Sequence, residues 1–323
     1  MTRTLENQVL LSRSFDSFEE LATLARQWKA DFHQLSSPET GHQVVQVMID
    51  GLLMSRGRFG CHLQQYGETP SCSRTFALLE EDCSPVYWFG RQVGPNELLI
   101  FPADGEIQAT SRPGFCNHTF SVNMVDLEDF FESSGGPDLQ RVLGPKATAI
   151  PLAPSHLRRL REHLRRVSFD PRMLQQSLLL YDAYRDKLFN LLLSIFRDRT
   201  EPGSSRGIRT RRYLIRDIVR AVENHRDERI TLKELSAAGQ VPERTLNAVF
   251  SRELGITPAA FVKGYRLFAT HRELWRADPA RTRVSDVANS WGFWHLGQFA
   301  ADYQQFFGEL PKHTLKRQPD PVR

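Results

Sequence analysis

The sequence predicts an α+β chain in which a β-rich N-terminal domain with flanking helices precedes an all-α domain of two helix-turn-helix units joined by a helix. Three observations lead to this prediction. Short extended runs fill the first half, a helical pattern occurs twice near the C-terminus, and the C-terminal third is basic whereas the remainder is mildly acidic. A length of 323 residues also exceeds the usual size of a single hydrophobic core.

Composition favours a folded soluble protein. Hydrophobic residues make up 40% of the chain and charged residues 25%. No run of about 18 apolar residues occurs, and residues Met1 to Leu11 lack the apolar segment of a signal peptide. We therefore expect a cytoplasmic protein that does not engage a membrane.

The four cysteines predict no metal or redox centre. All of them lie in the N-terminal half, and their spacing matches no CxxC motif. We expect reduced, partly buried thiols rather than a redox sensor, and no zinc or other cofactor. The cysteines are Cys61, Cys72, Cys83 and Cys116.

The N-terminal half is predicted to begin with a helix and to continue as strands. Residues Phe15–Phe32 place apolar side chains on one helical face, and Ser17 with Glu20 resembles a capping box. Between about Val44 and Val122, extended runs alternate with Gly, Pro and Asn, which predicts an antiparallel sandwich or barrel. The predicted strands are Val44–Ile49, Phe59–Tyr66, Thr75–Leu79, Val86–Phe89, Leu98–Phe101 and Cys116–Val122.

Helical patterns return after the strands. We expect a short acidic helix opened by Asp126 at Asp126–Ser133, a second at Ser155–Val167, and a long one from Pro171 to about Arg199. The long helix carries a stripe near heptad spacing, which forms either intramolecular core or a self-association seam, and we favour a homodimer through it. The stripe consists of Leu174, Leu178, Tyr181, Leu188, Leu192 and Ile195.

Residues 201–207 (EPGSSRG) are predicted to be a flexible linker, because they combine Pro, Gly and Ser. The linker separates a β-rich domain with a helical C-terminal part, residues 1–200, from an all-α domain, residues 208–323. From Gly207 to Arg323 there are 20 Lys and Arg against 13 Asp and Glu, a net charge of +7, and the remainder carries −3. A basic domain beside an acidic body favours phosphate binding by that domain.

The repeated pattern is a short apolar-periodic helix, a tight turn and a longer apolar-periodic helix that ends at Gly, with Pro three residues later. This is the layout of a helix-turn-helix, whose second helix lies in the major groove of DNA. Helical hairpins in an ordinary bundle would show the same apolar spacing, but the basic charge favours DNA. The first copy contains Leu232, Leu235, Val241, Leu246, Phe250, Leu254, Gly255 and Pro258, and the second contains Val284, Val287, Phe293, Phe299, Tyr303, Phe307, Gly308 and Pro311.

The stretch from about Tyr213 to Leu315 resembles the AraC/XylS family of transcription regulators. The resemblance rests on TLKELSAAGQVPERTLNAVFSRELGITP and VSDVANSWGFWHLGQFAADYQQFFGELP, which a helix predicted at Pro258–Arg276 joins. It implies two helix-turn-helix units that bind successive major-groove segments on one face of double-stranded promoter DNA. It also implies an activator with RNA polymerase as a further partner, and a cupin-like N-terminal sensor that the strand-rich region matches in outline.

The first recognition helix is predicted at about Pro242–Leu254, where a proline at the start needs no amide partner. Arg244 could pair with guanine and Asn247 with adenine, while Arg252 is better placed for a phosphate. The same residues could simply be solvated. The outward residues are Arg244, Thr245, Asn247, Ala248, Ser251 and Arg252.

The second recognition helix is predicted at about His295–Phe307 and contains no Lys or Arg. Base recognition by this unit depends on His295 and Gln298, and Trp294 either joins them or packs in the core. The chain departs here from the family, whose members often have Arg at the positions of Ala248 and Ala301. The outward residues are His295, Gln298, Ala301, Gln304 and Gln305.

The first turn is a second departure from the family pattern. Gln240 stands where many members have a turn glycine. We expect the preceding Gly239 to adopt the left-handed conformation instead.

Phosphate contacts are expected from helix N-termini as well as from cations. Lys312, His313 and Thr314 follow Pro311 at the start of the last helix. On the joining helix, Lys263 and Arg266 either bind phosphate or are solvated.

A cupin-like barrel raises the alternative of a metalloenzyme with an accessory helical domain. Cupin metal sites use a close histidine pair, a carboxylate and a third histidine, whereas no HxH spacing occurs here. The cupin-like LLIFPADGE at residues 98–106 is followed by Gln108, and neither it nor its neighbours supply a histidine. We therefore expect no catalytic activity, and an apolar interior that either holds a small-molecule effector or is filled by side chains. Candidates for its lining are Phe59, Tyr66, Phe76, Tyr87, Trp88, Phe101 and Phe120.

Overall fold

A computed structural model describes residues 8–15, 28–49, 51–169, 178–197, 199 and 213–317. Strands dominate the first part of these residues and helices the second, so the α+β prediction is confirmed at this level. None of the described helices is both long and apolar enough to cross a membrane. The predicted linker at 201–207 lies outside the described residues.

The strands form two antiparallel sheets. The seven-stranded sheet has the order β1-β3-β4-β11-β6-β9-β12, and the five-stranded sheet has the order β2-β5-β10-β7-β8. The strands are β1 Gln8–Phe15, β2 Lys29–Gln34, β3 His42–Ile49, β4 Leu52–Phe59, β5 Leu63–Glu68, β6 Ser73–Leu79, β7 Val86–Trp88, β8 Arg91–Val93, β9 Glu97–Ile100, β10 Glu106–Ser111, β11 Phe115–Asn123 and β12 Thr148–Pro151.

The seven-stranded sheet is buried on both faces. On β6, Phe76 and Leu78 belong to a core formed with helices, whereas Ala77 and Leu79 face the core between the two sheets. Because both faces of the sheet are covered, β6 is a continuous apolar run, and its residues do not alternate between apolar and polar.

Five of the six predicted strands coincide with observed ones, and the sixth, Phe59–Tyr66, is wrong. In its place, β4 ends at Phe59 and β5 begins at Leu63. The chain bends at Gly60, where an added Cβ would lie 1.9 Å from the carbonyl oxygen of Thr40. This close approach interrupts an apolar run that otherwise looks continuous.

The helix predicted at Phe15–Phe32 is also wrong at both ends. Phe15 ends β1, and Lys29–Gln34 forms β2, which pairs with β5 from Lys29 opposite Glu68 to Gln34 opposite Leu63. Strand pairing therefore overrides the helical spacing here. The middle of the prediction, residues 16–27, lies outside the described residues.

After β11, the described residues of the N-terminal region form four helices, with β12 between the second and the third: α1 Met124–Ser133, α2 Leu139–Leu143, α3 Pro154–Phe169 and α4 Leu178–Phe196. The side chain of Asn123, not that of Asp126, caps α1, because it accepts a hydrogen bond from the amide of Val125 at 2.9 Å. Helix α2 was not predicted. The predicted start of the long helix at Pro171 lies outside the described residues.

In the described part of the long helix, the stripe is intramolecular core, so the prediction of a dimer seam through these residues is wrong. Tyr181, Leu188, Leu192 and Ile195 are buried in the single chain, in the cluster that covers the seven-stranded sheet. The heptad-like spacing arises because this helix packs on a sheet and on neighbouring helices at once. Leu174 and the side chain of Leu178 are outside the described part of the chain.

The aromatic residues predicted to line one interior are distributed over three cores. Phe59, Trp88 and Phe101 lie between the two sheets. Phe76 and Phe120 face the helices on the far side of the seven-stranded sheet. Tyr66 and Tyr87 lie on the opposite side of the molecule, against the C-terminal helices.

The C-terminal region, residues 213–317, is helical. The predicted joining helix has the observed bounds Pro258–Arg276. The helices of the C-terminal region are α5 Leu214–Asn224, α6 Leu232–Ala238, α7 Glu243–Ala248, which a π-helical segment continues at Val249–Leu254, α8 Pro258–Arg276, α9 Val284–Ser290, α10 Leu296–Phe307 and α11 Pro311–Lys316.

Candidate DNA interface

The first helix pair, residues 232–254, consists of α6 and the helix that α7 begins. Thr231 and Glu234 form a capping box at the start of α6: the Thr231 hydroxyl accepts from the Glu234 amide at 3.3 Å, and the Glu234 carboxylate accepts from the Thr231 amide at 2.6 Å. At the turn, the amide of Val241 donates to the carbonyl of Ser236 at 3.2 Å. These local bonds fix where α6 ends and where the next helix begins.

The turn of the first pair differs from its prediction. Gln240 itself adopts the left-handed conformation, with φ +52°, whereas Gly239 has φ −76°. Gly239 is required for another reason, since an added Cβ would lie 2.3 Å from a methyl carbon of Leu214 on α5. Close packing of α5 thus occupies the space beside Gly239 and leaves the reversal to Gln240.

The first recognition helix follows its predicted path, but its second half is π-helical. It runs as α7 and continues through Val249–Leu254 to Gly255, which has φ +74°. The apolar positions that the repeat predicts along this helix are buried, and so is Val249: the predicted positions are Val241, Leu246, Phe250 and Leu254.

The predicted base-contacting residues of the first pair are at the surface. Arg244, Asn247, Ser251 and Arg252 are exposed, and Thr245 is half-buried. Ser251 donates its hydroxyl hydrogen bond to the carbonyl of Asn247 at 2.7 Å, so it is partly engaged within its own helix. Arg244 and Asn247 are therefore open to a partner.

The second helix pair, residues 284–307, consists of α9 and α10. Its turn contains Gly292, with φ +79°, and the recognition helix begins at Leu296, one residue later than predicted. Phe299 and Tyr303 are buried as expected. Phe307 was predicted to be the third buried residue, but Phe306 is buried instead. Phe307 is half-buried and stacks on His271 with ring centroids 4.3 Å apart.

An exposed segment, residues 294–298, opens the second recognition helix. Trp294 is 63% exposed, whereas the neighbouring Phe293 packs on Phe299 with ring centroids 5.0 Å apart. Phe293 therefore anchors the turn in the core, and Trp294 faces solvent. His295 and Gln298 are exposed as predicted.

One carboxylate ties the second recognition helix to the joining helix. The carboxylate of Asp302 accepts a hydrogen bond from the side-chain Nε2 of Gln298 at 3.0 Å and forms an ion pair with Nζ of Lys263 at 2.8 Å. Lys263 is half exposed in this pair. Gln298 is thus oriented by a neighbour on its own helix.

The predictions that Arg266 and Thr314 contact phosphate are wrong. Arg266 is buried and donates to the carbonyls of His225 at 2.8 Å and Glu228 at 2.6 Å, and burial lowers its pKa. Thr314 is also buried, beside the hydroxyl of Tyr303 at 2.8 Å. Lys312 and His313, by contrast, are exposed at the start of α11.

A cleft of about 420 Å³ separates the two helix pairs. Asn247 of the first pair and Phe293 of the second line it, together with Lys263 on the joining helix. The joining helix therefore forms the floor between the two units.

The β-rich region contacts the C-terminal region through β2. The guanidinium Nη1 of Arg272 lies 2.8 Å from both carboxylate oxygens of Asp31, and His33 stacks on Tyr265 with ring centroids 4.8 Å apart. Burial alone would raise the pKa of Asp31, but the hydrogen bonds and charges of His33 and Arg272 prevail and lower it to about 2. The pair is therefore ionised at neutral pH.

The contacts also reach the C-terminal ends of both recognition helices. Arg112 donates to the carbonyls of Arg252 and Glu253, and Ser37 donates to the carbonyl of Gln305 at 2.9 Å. Their N-terminal ends, which carry Arg244 and residues 294–298, stay exposed. The β-rich region thus leaves the predicted base-contacting surfaces open.

Sequence analysis missed Leu296 and Arg112. Leu296 is 43% exposed on the second recognition helix. The signal for it was available, because Leu296 falls outside the apolar spacing of Phe293, Phe299 and Tyr303. Nothing in the sequence around Arg112 indicates its distant carbonyl partners.

No group of three or more His, Cys, Asp or Glu side chains in the described parts of the chain is arranged to hold a metal ion. Cys61, Cys83 and Cys116 are buried free thiols, and burial raises the pKa of each. Cys72 is exposed.

Residues 235–317 match a family model described as a helix-turn-helix domain. A probable thc operon regulatory protein of Rhodococcus erythropolis is 35% identical over 106 residues, which cover 33% of this chain and 32% of that protein. The XylDLEGF operon transcriptional activator 3 of Pseudomonas putida is 30% identical over 100 residues, covering 31% of this chain and 30% of that protein. The matches thus span about a third of these relatives.

Two solved AraC-like structures align with this chain. The AraC-like transcriptional activator CuxR covers 81% of this chain and 96% of its own, at 10% identity and a TM-score of 0.40. A transcriptional regulator of Chromobacterium violaceum with an AraC-type DNA-binding domain covers 34% of this chain and 95% of its own, at 18% identity and a TM-score of 0.31. The family resemblance drawn from the sequence of the C-terminal region is confirmed by the helix-turn-helix match and by the two operon regulators.

Proposed function

We propose that this chain, whose C-terminal region is an AraC/XylS-type DNA-binding domain, is a sequence-specific transcription regulator that recognises two successive major grooves of promoter DNA. The observation that carries the proposal is that both helix pairs expose the N-terminal residues of their second helix, whereas the apolar stripe of that helix is buried in the core. In helix-turn-helix proteins, these are the residues that contact base edges.

The first pair supplies the charged contacts of the proposed complex. Arg244 binds guanine through two hydrogen bonds, Asn247 binds adenine in the same way, and Arg252 binds a phosphate. Thr245 and Ser251 lie on the same surface. The net charge of +7 on residues 207–323 supports attraction to the phosphate backbone.

The second pair supplies His295 and Gln298, with Trp294 beside them. Lys312 and His313, exposed at the start of α11, bind phosphate next to this pair. With α8 joining the two pairs, the two recognition helices enter adjacent major grooves about 34 Å apart.

Selection from random duplexes with the full-length protein tests the proposal. We expect an enriched motif in two halves about one helical turn apart. Arg244→Ala should lose preference at one base pair of one half, and Gln298→Ala should change the other half. Binding without any preferred sequence would overturn the proposal.

We also propose that the β-rich region binds a small neutral effector between its sheets. A cavity of about 70 Å³ is lined by Phe32, Phe59 and Ile107 among other side chains. Gln46 and Gln65 line it as well, and the Gln46 side-chain oxygen and the Gln65 side-chain nitrogen are buried without a hydrogen-bond partner among the described residues. Mass spectrometry of molecules that copurify with the native protein and are lost in Gln46→Leu tests this assignment.

We propose a homodimer formed through a sheet edge, since the long helix is already buried within one chain. An edge strand presents unpaired backbone groups that a second copy can use. Light scattering of the full chain at micromolar concentration should give twice the mass of 37.1 kDa. A monomeric mass would exclude this assembly.

We propose that the chain acts as an activator through RNA polymerase. The proposal of activation is supported by two similar proteins of Pseudomonas putida, which are named transcriptional activators of the XylDLEGF operon. Transcription in vitro from a selected site placed upstream of a weak promoter tests this. Stimulation by the wild type and not by Arg244→Ala supports activation, whereas reduced transcription would show repression.

A further inference from the structure

The second recognition helix begins with two exposed apolar side chains. Trp294 is 63% and Leu296 43% exposed, on either side of His295. Among the described residues, the other large hydrophobic side chain that is exposed to this extent is Val125, on α1 in the β-rich region. Large apolar side chains so exposed, and so close together, favour a partner that covers them.

The core of the C-terminal region does not need either side chain. Phe293 anchors the turn on Phe299, and Phe299 and Tyr303 fill the buried face of the helix. Trp294 and Leu296 therefore contribute little to folding, and their apolar surface is available to a ligand.

Polar base recognition is limited at the same end of the helix. Leu254 and Gly255 end the first recognition helix as Phe307 and Gly308 end the second. When the two sequences are aligned at these ends, Gly297 takes the position of Arg244. Gly297 carries no side chain, and an added Cβ there would meet nothing within 4 Å. Gln298 is already hydrogen-bonded to Asp302 at 3.0 Å. Among the exposed residues at this end, large side chains come mainly from Trp294, His295 and Leu296.

We infer that Trp294 and Leu296 recognise thymine by packing on its C5-methyl group. This inference rests on the proposed function, because it places the second helix pair in a major groove. The thymine methyl is the apolar feature that a base pair presents in that groove. A neutral, apolar helix start matches this group and lacks the cations that would favour guanine.

Substitution of deoxyuridine for thymine tests the inference, since it removes only the methyl group. The full-length protein is titrated against its selected site with one thymine at a time replaced in the half bound by the second pair. We expect a loss of affinity of about fourfold for each contacted methyl, the effect of burying one such group. The double variant Trp294→Ala/Leu296→Ala should bind the thymine and deoxyuridine sites equally well.

Val125→Ala provides the matched control, because it removes an equally exposed apolar side chain far from the DNA-binding region. It should retain the wild-type response to deoxyuridine. Thermal unfolding of the double variant should match that of the wild type, since neither side chain is in the core.

The outcomes separate this inference from the proposed function. If the protein selects a sequence but deoxyuridine has no effect in the second half, or has the same effect on the double variant, the inference is overturned while DNA binding stands. If the double variant keeps its DNA affinity and loses only transcription activation, the two side chains contact a protein, which also overturns it. Absence of any selected sequence would overturn the proposed function itself.

Discussion

The two helix pairs share one backbone layout and differ in their turns and in the side chains that they expose. The first reverses at Gln240 in the left-handed conformation, continues into a π-helical segment and exposes Arg244 and Arg252. The second reverses at Gly292, continues as a regular helix and begins with exposed apolar and neutral residues. The comparison teaches that a repeated backbone layout does not repeat its chemistry: the first pair is suited to charged contacts, and the second to shape and apolar contacts.

The largest expected effect is the loss of DNA affinity, which should be greater in variants of the first helix pair than in variants of the second. Arg244→Ala and Asn247→Ala should each cost about 1–3 kcal/mol of binding free energy, because each removes a bidentate base contact. His295→Ala/Gln298→Ala should cost less, since charge-assisted hydrogen bonds are stronger than neutral ones. Fluorescence anisotropy of the full chain on its selected site compares the double variant Arg244→Ala/Asn247→Ala with the double variant His295→Ala/Gln298→Ala.

Ser251→Ala is the control for these measurements. Its hydroxyl is bonded to a carbonyl of its own helix, so its removal should change affinity little. A larger loss from the His295/Gln298 variant than from the Arg244/Asn247 variant would reverse the order of the two pairs.

A smaller effect concerns the free energy of unfolding, which substitutions in the two turns should change in opposite directions. Gly292→Ala should lower the free energy of unfolding by about 1–2 kcal/mol, because a side chain is strained at φ +79°. The new Cβ would also lie 3.0 Å from a guanidinium nitrogen of Arg266. Gln240→Gly should raise the free energy of unfolding by up to about 1 kcal/mol, since glycine adopts the left-handed conformation without that strain.

Guanidinium denaturation of the full chain followed by tryptophan fluorescence measures both changes. Gly297→Ala is the matched control, because its Cβ meets open space and its φ is not positive. It should be neutral or stabilising in the helix. Opposite signs for Gly292→Ala and Gln240→Gly are the expected result, and a destabilised Gln240→Gly would show that Gln240 makes contacts that outweigh its strain.

The smallest effect concerns phosphate contacts. Arg252 of the first pair corresponds in sequence to Gln305 of the second, and both are exposed. Arg252→Gln should reduce the dependence of log affinity on log salt concentration by about one, and Gln305→Arg should increase it by about one. Neither change should alter which bases are preferred. A change in base preference would place these residues at base edges instead.

The sequence predicted the C-terminal helices well because each buries one apolar stripe. The spacing of Val241, Leu246 and Phe250 is set by a local helical period, so the buried face follows from sequence alone. The joining helix has clear boundaries for a similar reason: Thr257 caps the amide of Ala260 at 3.1 Å, and Pro258 opens the first turn.

Predictions failed where distant parts of the chain decide the structure. β2 is a strand because β5 pairs with it, and Leu188 is core because a sheet lies beneath its helix. Arg266 has the composition of a phosphate ligand, but carbonyls of the loop after α5 enclose it. At the candidate interface, the spacing placed Arg244 and Asn247 on the surface, whereas nothing in the sequence around Arg112 indicated its contacts with the carbonyls of Arg252 and Glu253.

The shared cores of the two regions limit how this protein can be taken apart. Phe268 on the joining helix is buried in the core between the two sheets, and Leu35 and Tyr87 of the β-rich region belong to the core of the first helix pair. An added Cβ at Gly264 would lie 2.2 Å from the carbonyl oxygen of Leu35, so β2 and the joining helix meet without room for a different side chain. The C-terminal region is therefore not an interchangeable cassette. A chimaera that joins it to a foreign sensor would have to bring β2 with it, so that Asp31 can meet Arg272 and Leu35 can cover Gly264.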